Sequence, residues 1–184
     1  MIKKILVGVL IAVVLIVGVL ALIIALQPSH YEIERSTTIN APANIVYDQV
    51  NDFHKWEAWS PWAKLDPNMK QEYLGAPVGV GAIYKWAGNN QVGEGKMTIT
   101  MSIPPNFTRI KLEFIKPFAA ISYTDFNFTQ QGDQTLVKWK MMGDNNFLGK
   151  AFSLVMNMDK TVGPDFERGL AQLKVVSESA AKFN

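Results

Sequence analysis

The sequence predicts an α+β protein: a curved antiparallel sheet of about seven strands around one long C-terminal helix, preceded by a single transmembrane helix. Three observations predict it. Residues 5–26 are an unbroken apolar run with no charged or polar side chain. Residues 69–144 alternate apolar and polar side chains in short stretches separated by Gly, Pro, Asn and Asp, the pattern of strands joined by tight turns. From Phe147 to Phe183 the apolar residues switch to helical spacing.

The apolar run holds 22 residues. As an α-helix it reaches about 33 Å, enough for the roughly 30 Å hydrocarbon core of a bilayer. Inside lipid, a lone segment satisfies its own backbone only as a helix. Lys3 and Lys4 precede the run and Arg35 is the first cation after it. The positive-inside bias therefore predicts a cytoplasmic N-terminus, one pass through the cytoplasmic (inner) membrane, and a domain on the extracytoplasmic side. A cleaved signal peptide is the competing reading. Its apolar core is shorter, about 7–15 residues, and ends in a small-x-small site; Ala25-Leu26-Gln27-Pro28 offers no good one. Residues 1–28 are read as a membrane anchor and 29–184 as one domain.

Composition narrows the functional classes. The first 26 residues carry two lysines and no acid, which leaves 16 basic against 16 acidic residues in the remainder. A neutral domain lacks the electrostatic footprint of a nucleic-acid binder. The chain has no cysteine, which excludes disulfides, thiol catalysis and thiolate metal sites. Two histidines, His30 and His54, have no partner at ligand spacing, so no metal and no cofactor are expected.

The elements follow in order. Tyr31 to Asn40 alternates, with Tyr31, Ile33, Thr37 and Ile39 on one face, and reads as a strand. Asn40-Ala41-Pro42 stops it and starts a helix over 43–52, whose stripe is Ile45, Val46, Gln49 and Val50. Residues 54–62, with Trp56, Trp59 and Trp62 spaced by three, are irregular or a short helix, placed to gate a pocket, to sit in a headgroup layer or to plug the sheet edge. Strands are predicted at 71–74, 82–87, 93–101, 109–115, 120–129 and 135–141, with Met97, Ile99 and Met101 sharing one face. The glycine pairs at Gly79-Val80-Gly81 and Gly93-Glu94-Gly95 lack the strand–turn–helix setting of a phosphate loop and read as turns. The last helix carries Phe152, Val155, Met156 and Val162 on one face, then breaks or kinks at Gly163-Pro164 before Phe166, Leu170 and Leu173.

Several blocks carry a resemblance. Ile39-Asn40-Ala41-Pro42 is similar to the opening of the START-like (SRPBCC) superfamily. Trp59-Ser60-Pro61-Trp62, Asp66-Pro67-Asn68-Met69, Gly79-Val80-Gly81-Ala82 and the stretch from Met158-Asp159-Lys160 to Gly163-Pro164-Asp165-Phe166-Glu167-Arg168-Gly169-Leu170 resemble its polyketide cyclase/dehydrase-like branch. The resemblance spans residues 31–180. It implies a helix-grip fold, a curved sheet around a C-terminal helix enclosing a hydrophobic cavity. It does not imply one activity, since relatives include lipid carriers, hormone receptors, aromatic cyclases and chaperone activators.

The candidate cavity residues are Trp59, Tyr84, Trp86, Met97, Phe114, Phe126, Phe128, Trp139, Met141, Phe152, Met156 and Phe166. Large inward-facing aromatic and Met side chains suit either a pocket for a lipid-like or aromatic molecule or a solid core. The catalytic candidates are few: Asp159, Asp125 and Tyr84, any of which would need a pKa shifted by burial to serve a cyclase or dehydratase. Three readings stand: a membrane-anchored binding module for a hydrophobic small molecule, a cyclase-like enzyme, and an interaction protein with a filled core.

Overall fold

The computed structural model describes residues 2–183. The apolar run forms α1 (Ile2–Ala25), none of whose side chains is buried. It is long and apolar enough to cross a membrane, a property it shares with signal sequences. A four-residue link leads into β1 (His30–Ile39), α2 (Ala43–Asn51) and a turn of 3-10 helix, Phe53–Ala58. Six strands follow: β2 (Lys70–Gly75), β3 (Ala82–Ala87), β4 (Glu94–Ile103), β5 (Phe107–Lys116), β6 (Ala120–Gln131) and β7 (Gln134–Asp144). The chain ends in α3 (Phe147–Ser153) and α4 (Met158–Ala181).

All seven strands form one sheet in the order β1-β7-β6-β5-β4-β3-β2, with every neighbouring pair antiparallel. Antiparallel order fixes which connections share an end. The β3–β4 and β5–β6 turns and the β7–α3 junction lie where β1 begins, next to α1; this is the proximal end. The β2–β3, β4–β5 and β6–β7 turns lie at the distal end.

The apolar face of the sheet is covered by two helices. At the distal end α2 inserts Val46, Tyr47 and Val50, all buried, with the Tyr47 ring edge-on to Phe128 at 5.8 Å. The expected stripe holds at Val46 and Val50, but Tyr47 rather than Ile45 or Gln49 completes it. Trp56 and Trp59 then donate their indole N–H groups to the carbonyls of Val50 and Gln49, at 2.9 and 3.0 Å. These carbonyls belong to the last turn of α2 and have no partner within the helix, so the two tryptophans cap it while filling the core.

α4 lies along β1 and buries Gly163, Phe166, Gly169, Leu170, Leu173 and Ser177. Arg35 ties its first turns to the strand through Asp159 and Glu167. Lys174 donates to the Thr38 carbonyl at 2.8 Å, and the Asn40 N–H donates to Glu178 at 2.8 Å.

Two expectations are corrected here. The C-terminal helical stretch does break, but at Leu154–Asn157 rather than at Gly163-Pro164; Asn157 caps the new helix by accepting from the Lys160 N–H at 3.0 Å. α4 continues through Pro164. Gly163 is there for closeness, because a Cβ on it would stand 2.0 Å from the Arg35 guanidinium. Second, the pairing of β4 with β5 slips between Ile99 and Met101, leaving Thr100 as an extra residue. Met101 therefore turns outward, 44% exposed, and Ser102 takes the inward place, bonded to Asn51 and Tyr47.

Candidate functional site: an apolar cavity under the sheet

The distal half of the space between sheet and helices is solid. Phe128, Phe126, Trp59 and Trp139 pack ring to ring, with Phe126 stacked on Trp139 at 4.9 Å and Trp59 edge-on to Phe126 at 6.1 Å. The proximal half is hollow. It encloses a cavity of about 390 Å³, within the size range of small-molecule sites.

Each wall has a clear origin. The inward row of β3 supplies Tyr84 and Trp86, that of β4 Met97, that of β5 Leu112 and Phe114, and that of β7 Trp139 and Met141. α4 closes the opposite side with Met158, Val162, Asp165 and Phe166. The Phe166 ring stacks on Trp139 at 4.0 Å, and Trp62 meets both rings edge-on, at 6.3 and 5.9 Å. This close approach needs Gly169, where a Cβ would lie 2.7 Å from the Trp139 ring. At the proximal end the cavity is lined by Gln91 and Val92 of the β3–β4 turn, Lys116 at the end of β5, and Pro117 and Phe118 of the β5–β6 turn; Glu57, Ser60, Ala63, Met69 and Gln71 line the side between the 3-10 helix and β2.

A few polar groups interrupt the apolar wall. Thr124 accepts from the Trp139 indole N–H at 2.8 Å and donates to the Lys140 carbonyl at 2.9 Å. Tyr31 shares a 2.7 Å hydrogen bond with Ser122. Asp165 accepts from the Trp62 indole N–H at 3.3 Å and is ion-paired with Arg168. Burial pushes the Tyr84 hydroxyl pKa up to about 12, with the neighbouring Tyr73 and Glu57 adding to the shift. Tyr84 is thus a protonated donor at neutral pH. Among the described residues no three His, Asp or Glu side chains gather as a metal-holding group.

The structure brings together seven of the candidate cavity residues: Tyr84, Trp86, Met97, Phe114, Trp139, Met141 and Phe166. Trp59, Phe126 and Phe128 share their inward direction but are walled off in the solid half, because α2 fills the distal end. Phe152 and Met156 are surface residues, 48% and 45% exposed, since α3 stands apart from α4 instead of extending it. Leu112, Met158 and Asp165 line the cavity without having been singled out from sequence, although Leu112 shares the alternating row of Ile110 and Phe114.

Of the catalytic candidates, only Tyr84 touches the cavity. Asp125 points to the outer side of the sheet, where Arg109 grips both its oxygens at 2.7 and 2.6 Å. Asp159 is exposed in the first turn of α4, and its carboxyl is held below the usual range by the Arg35 guanidinium. Neither carboxylate faces the cavity. Trp56 and Trp59 are buried, which removes them from any headgroup layer; Trp56 and the half-buried Trp62 line the cavity, while Trp59 packs in the solid half. His54 lies at the surface, bonded to Asp52 at 2.9 Å and stacked on Tyr73.

Sheet, gripping helix and hollow proximal half define a helix-grip domain with an apolar interior. The family model described as "Polyketide cyclase / dehydrase and lipid transport" matches residues 30–178, and the chain belongs to that family. No curated protein matches it. Solved structures share the fold at low identity. Protein CV1439 from Chromobacterium violaceum has a TM-score of 0.58 at 13% identity, covering 83% of this chain and 99% of that one. The Aha1 dimer from Colwellia psychrerythraea has a TM-score of 0.58 at 16% identity, covering 80% and 96%. The di-domain ARO/CYC BexL from the BE-7585A biosynthetic pathway also scores 0.58 at 14% identity, over 85% of this chain and 52% of its own.

Proposed function

We propose that this protein is a membrane-anchored binding module that holds a hydrophobic small molecule, lipid-like or aromatic, in the proximal cavity. The observation that carries this reading is the cavity itself, apolar-walled and about 390 Å³, set beside a helix long enough to span a bilayer. The driving force is burial: each 100 Å² of apolar ligand surface enclosed contributes about 2.5 kcal/mol, offset by the cost of immobilising the ligand. The placement of Lys3 and Lys4 puts the domain on the extracytoplasmic side in this reading.

A second reading is a cyclase- or dehydratase-like enzyme, favoured by the family description and by Tyr84. A protonated phenol in an apolar wall can donate a hydrogen bond to a substrate carbonyl as charge builds on it. Its high pKa suits it less to removing a proton.

Native mass spectrometry of the full-length protein in detergent tests the first reading. A co-purified lipid-like or aromatic molecule is expected, and Leu112→Trp, which fills the cavity from a half-buried position, should displace it. No bound molecule, together with no binding of a fluorescent fatty acid, would overturn the binding role.

A further inference from the structure

Beside the cavity rim at Phe118 lies a group of apolar side chains that nothing among the described residues covers. Phe118, at the tip of the β5–β6 turn, is 66% exposed. Phe147, Leu148 and Phe152 of α3 and Val155 and Met156 after it are exposed as well, Val155 at 85%. The two groups are joined: the Phe118 and Phe152 rings lie 5.6 Å apart. No residue of α3 is buried, so this short helix contributes nothing to the core. A contiguous exposed apolar patch of this kind marks a contact surface rather than ordinary protein exterior.

The position of α1 identifies what covers it. Lys150 of α3 donates from Nζ to the Ala25 carbonyl, in the last turn of α1, at 3.1 Å. The Asn145 N–H donates to the Ser29 carbonyl at 2.7 Å, and His30 pairs with Asp144 at 3.1 Å. The end of α1 is thereby braced against the β7–α3 junction. A bilayer spanned by α1 has its boundary where that helix ends, at the level of α3.

We infer that the proximal apolar collar is a bilayer-docking surface: α3, the segment after it and the Phe118 tip sit in the interfacial layer of the membrane that α1 spans, so that the cavity opens onto lipid and not onto water. Interfacial helices bury their apolar side chains about 5–10 Å into the headgroup boundary, which matches a helix with apolar residues exposed and a lysine at the exit of α1. The inference rests on α1 being a membrane span.

The absence of cysteine makes the test direct. Full-length single-cysteine variants Val14→Cys, Phe152→Cys, Val155→Cys and Asp133→Cys carry an environment-sensitive fluorophore in vesicles of phosphatidylcholine and phosphatidylglycerol. The expected result is loss of most emission at positions 14, 152 and 155 with a nitroxide lipid, and quenching by aqueous iodide at position 133 alone. Iodide quenching at 152 and 155 while 14 responds only to the lipid nitroxide overturns the docking surface and leaves the anchor standing. Iodide quenching at 14 as well removes both. Shielding of 152 and 155 from both quenchers, with disulfide-linked dimers on oxidation, assigns the collar to a second copy of the chain and also overturns the inference.

Discussion

Arg35 and Asp159 close the fold across the strand–helix boundary: Nη1 and Nη2 of the guanidinium donate to Oδ1 and Oδ2 of the carboxylate at 2.7 and 3.1 Å, while Nε donates to Glu167 at 2.8 Å. Arg35 lies on the inward row of β1 between Ile33 and Thr37, a row otherwise apolar or hydroxylic. It is tolerated there because two acids one helical face apart meet it, one of them in the first turn of α4, where the helix dipole favours negative charge. Planar geometry makes the contact specific to arginine.

Gly163 and Arg35 should behave as a coupled pair. Gly163→Ala gains helix propensity of about 1 kcal/mol, yet it drives a Cβ into the guanidinium. Alone it should destabilise, as the clamp is displaced. In an Arg35→Ala background the space is free, and the same substitution should stabilise. A urea-unfolding double-mutant cycle that shows this change of sign confirms the coupling; additive effects would refute it.

The pH dependence follows from Asp159. Its carboxyl is held below the ordinary range, first by hydrogen bonding to Arg35. A group whose folded pKa is depressed gives stability that is present above its unfolded value and lost as pH falls through the folded one. The thermal midpoint should therefore fall on acidification below about pH 4. Asp159→Asn should lower the midpoint at neutral pH and flatten part of the acid decline.

Trp139→Ala should cost about 3–5 kcal/mol in chemical unfolding, the range for large aromatic truncations in a core. The side chain loses its stack on Phe166, its stack on Phe126 and its bond to Thr124. Gly169→Ala should also destabilise, because the atoms its Cβ would meet belong to the Trp139 ring and Pro61, neither of which can swing away.

Tyr84→Phe separates the two functional readings. Ligand retention should survive, since the ring still lines the wall, while any turnover that depends on the phenol should fall by about 100-fold or more. Equal retention with unchanged turnover would dismiss Tyr84 as a catalytic residue.

Much of this architecture was legible because alternation survives in a sheet with one wet face: Phe126 and Phe128 against Asn127, or Trp139 and Met141 against Lys138 and Lys140, declare their faces directly. The β4 bulge was not legible, because one unpaired residue at Thr100 inverts everything after it without altering composition. The α3–α4 break was hidden for a similar reason. Asn157 is an ordinary cap, while Gly163-Pro164 looks like a stop signal and in fact serves close packing. The partition of the inward residues was the hardest part. Phe126 and Phe114 carry the same pattern in sequence, and only the placement of α2 at one end makes one of them core and the other cavity wall. Counting antiparallel strands from β1 would have shown which turns return to the α1 side, and with them the location of the rim.

The link between α1 and β1 is only Leu26 to Ser29. Fully stretched, four residues reach about 14 Å, less than the width of the domain itself. Where α1 spans a bilayer, so short a leash keeps the cavity from carrying cargo between compartments. A guest held there would be drawn from within arm's length, at the high local supply that tethering provides.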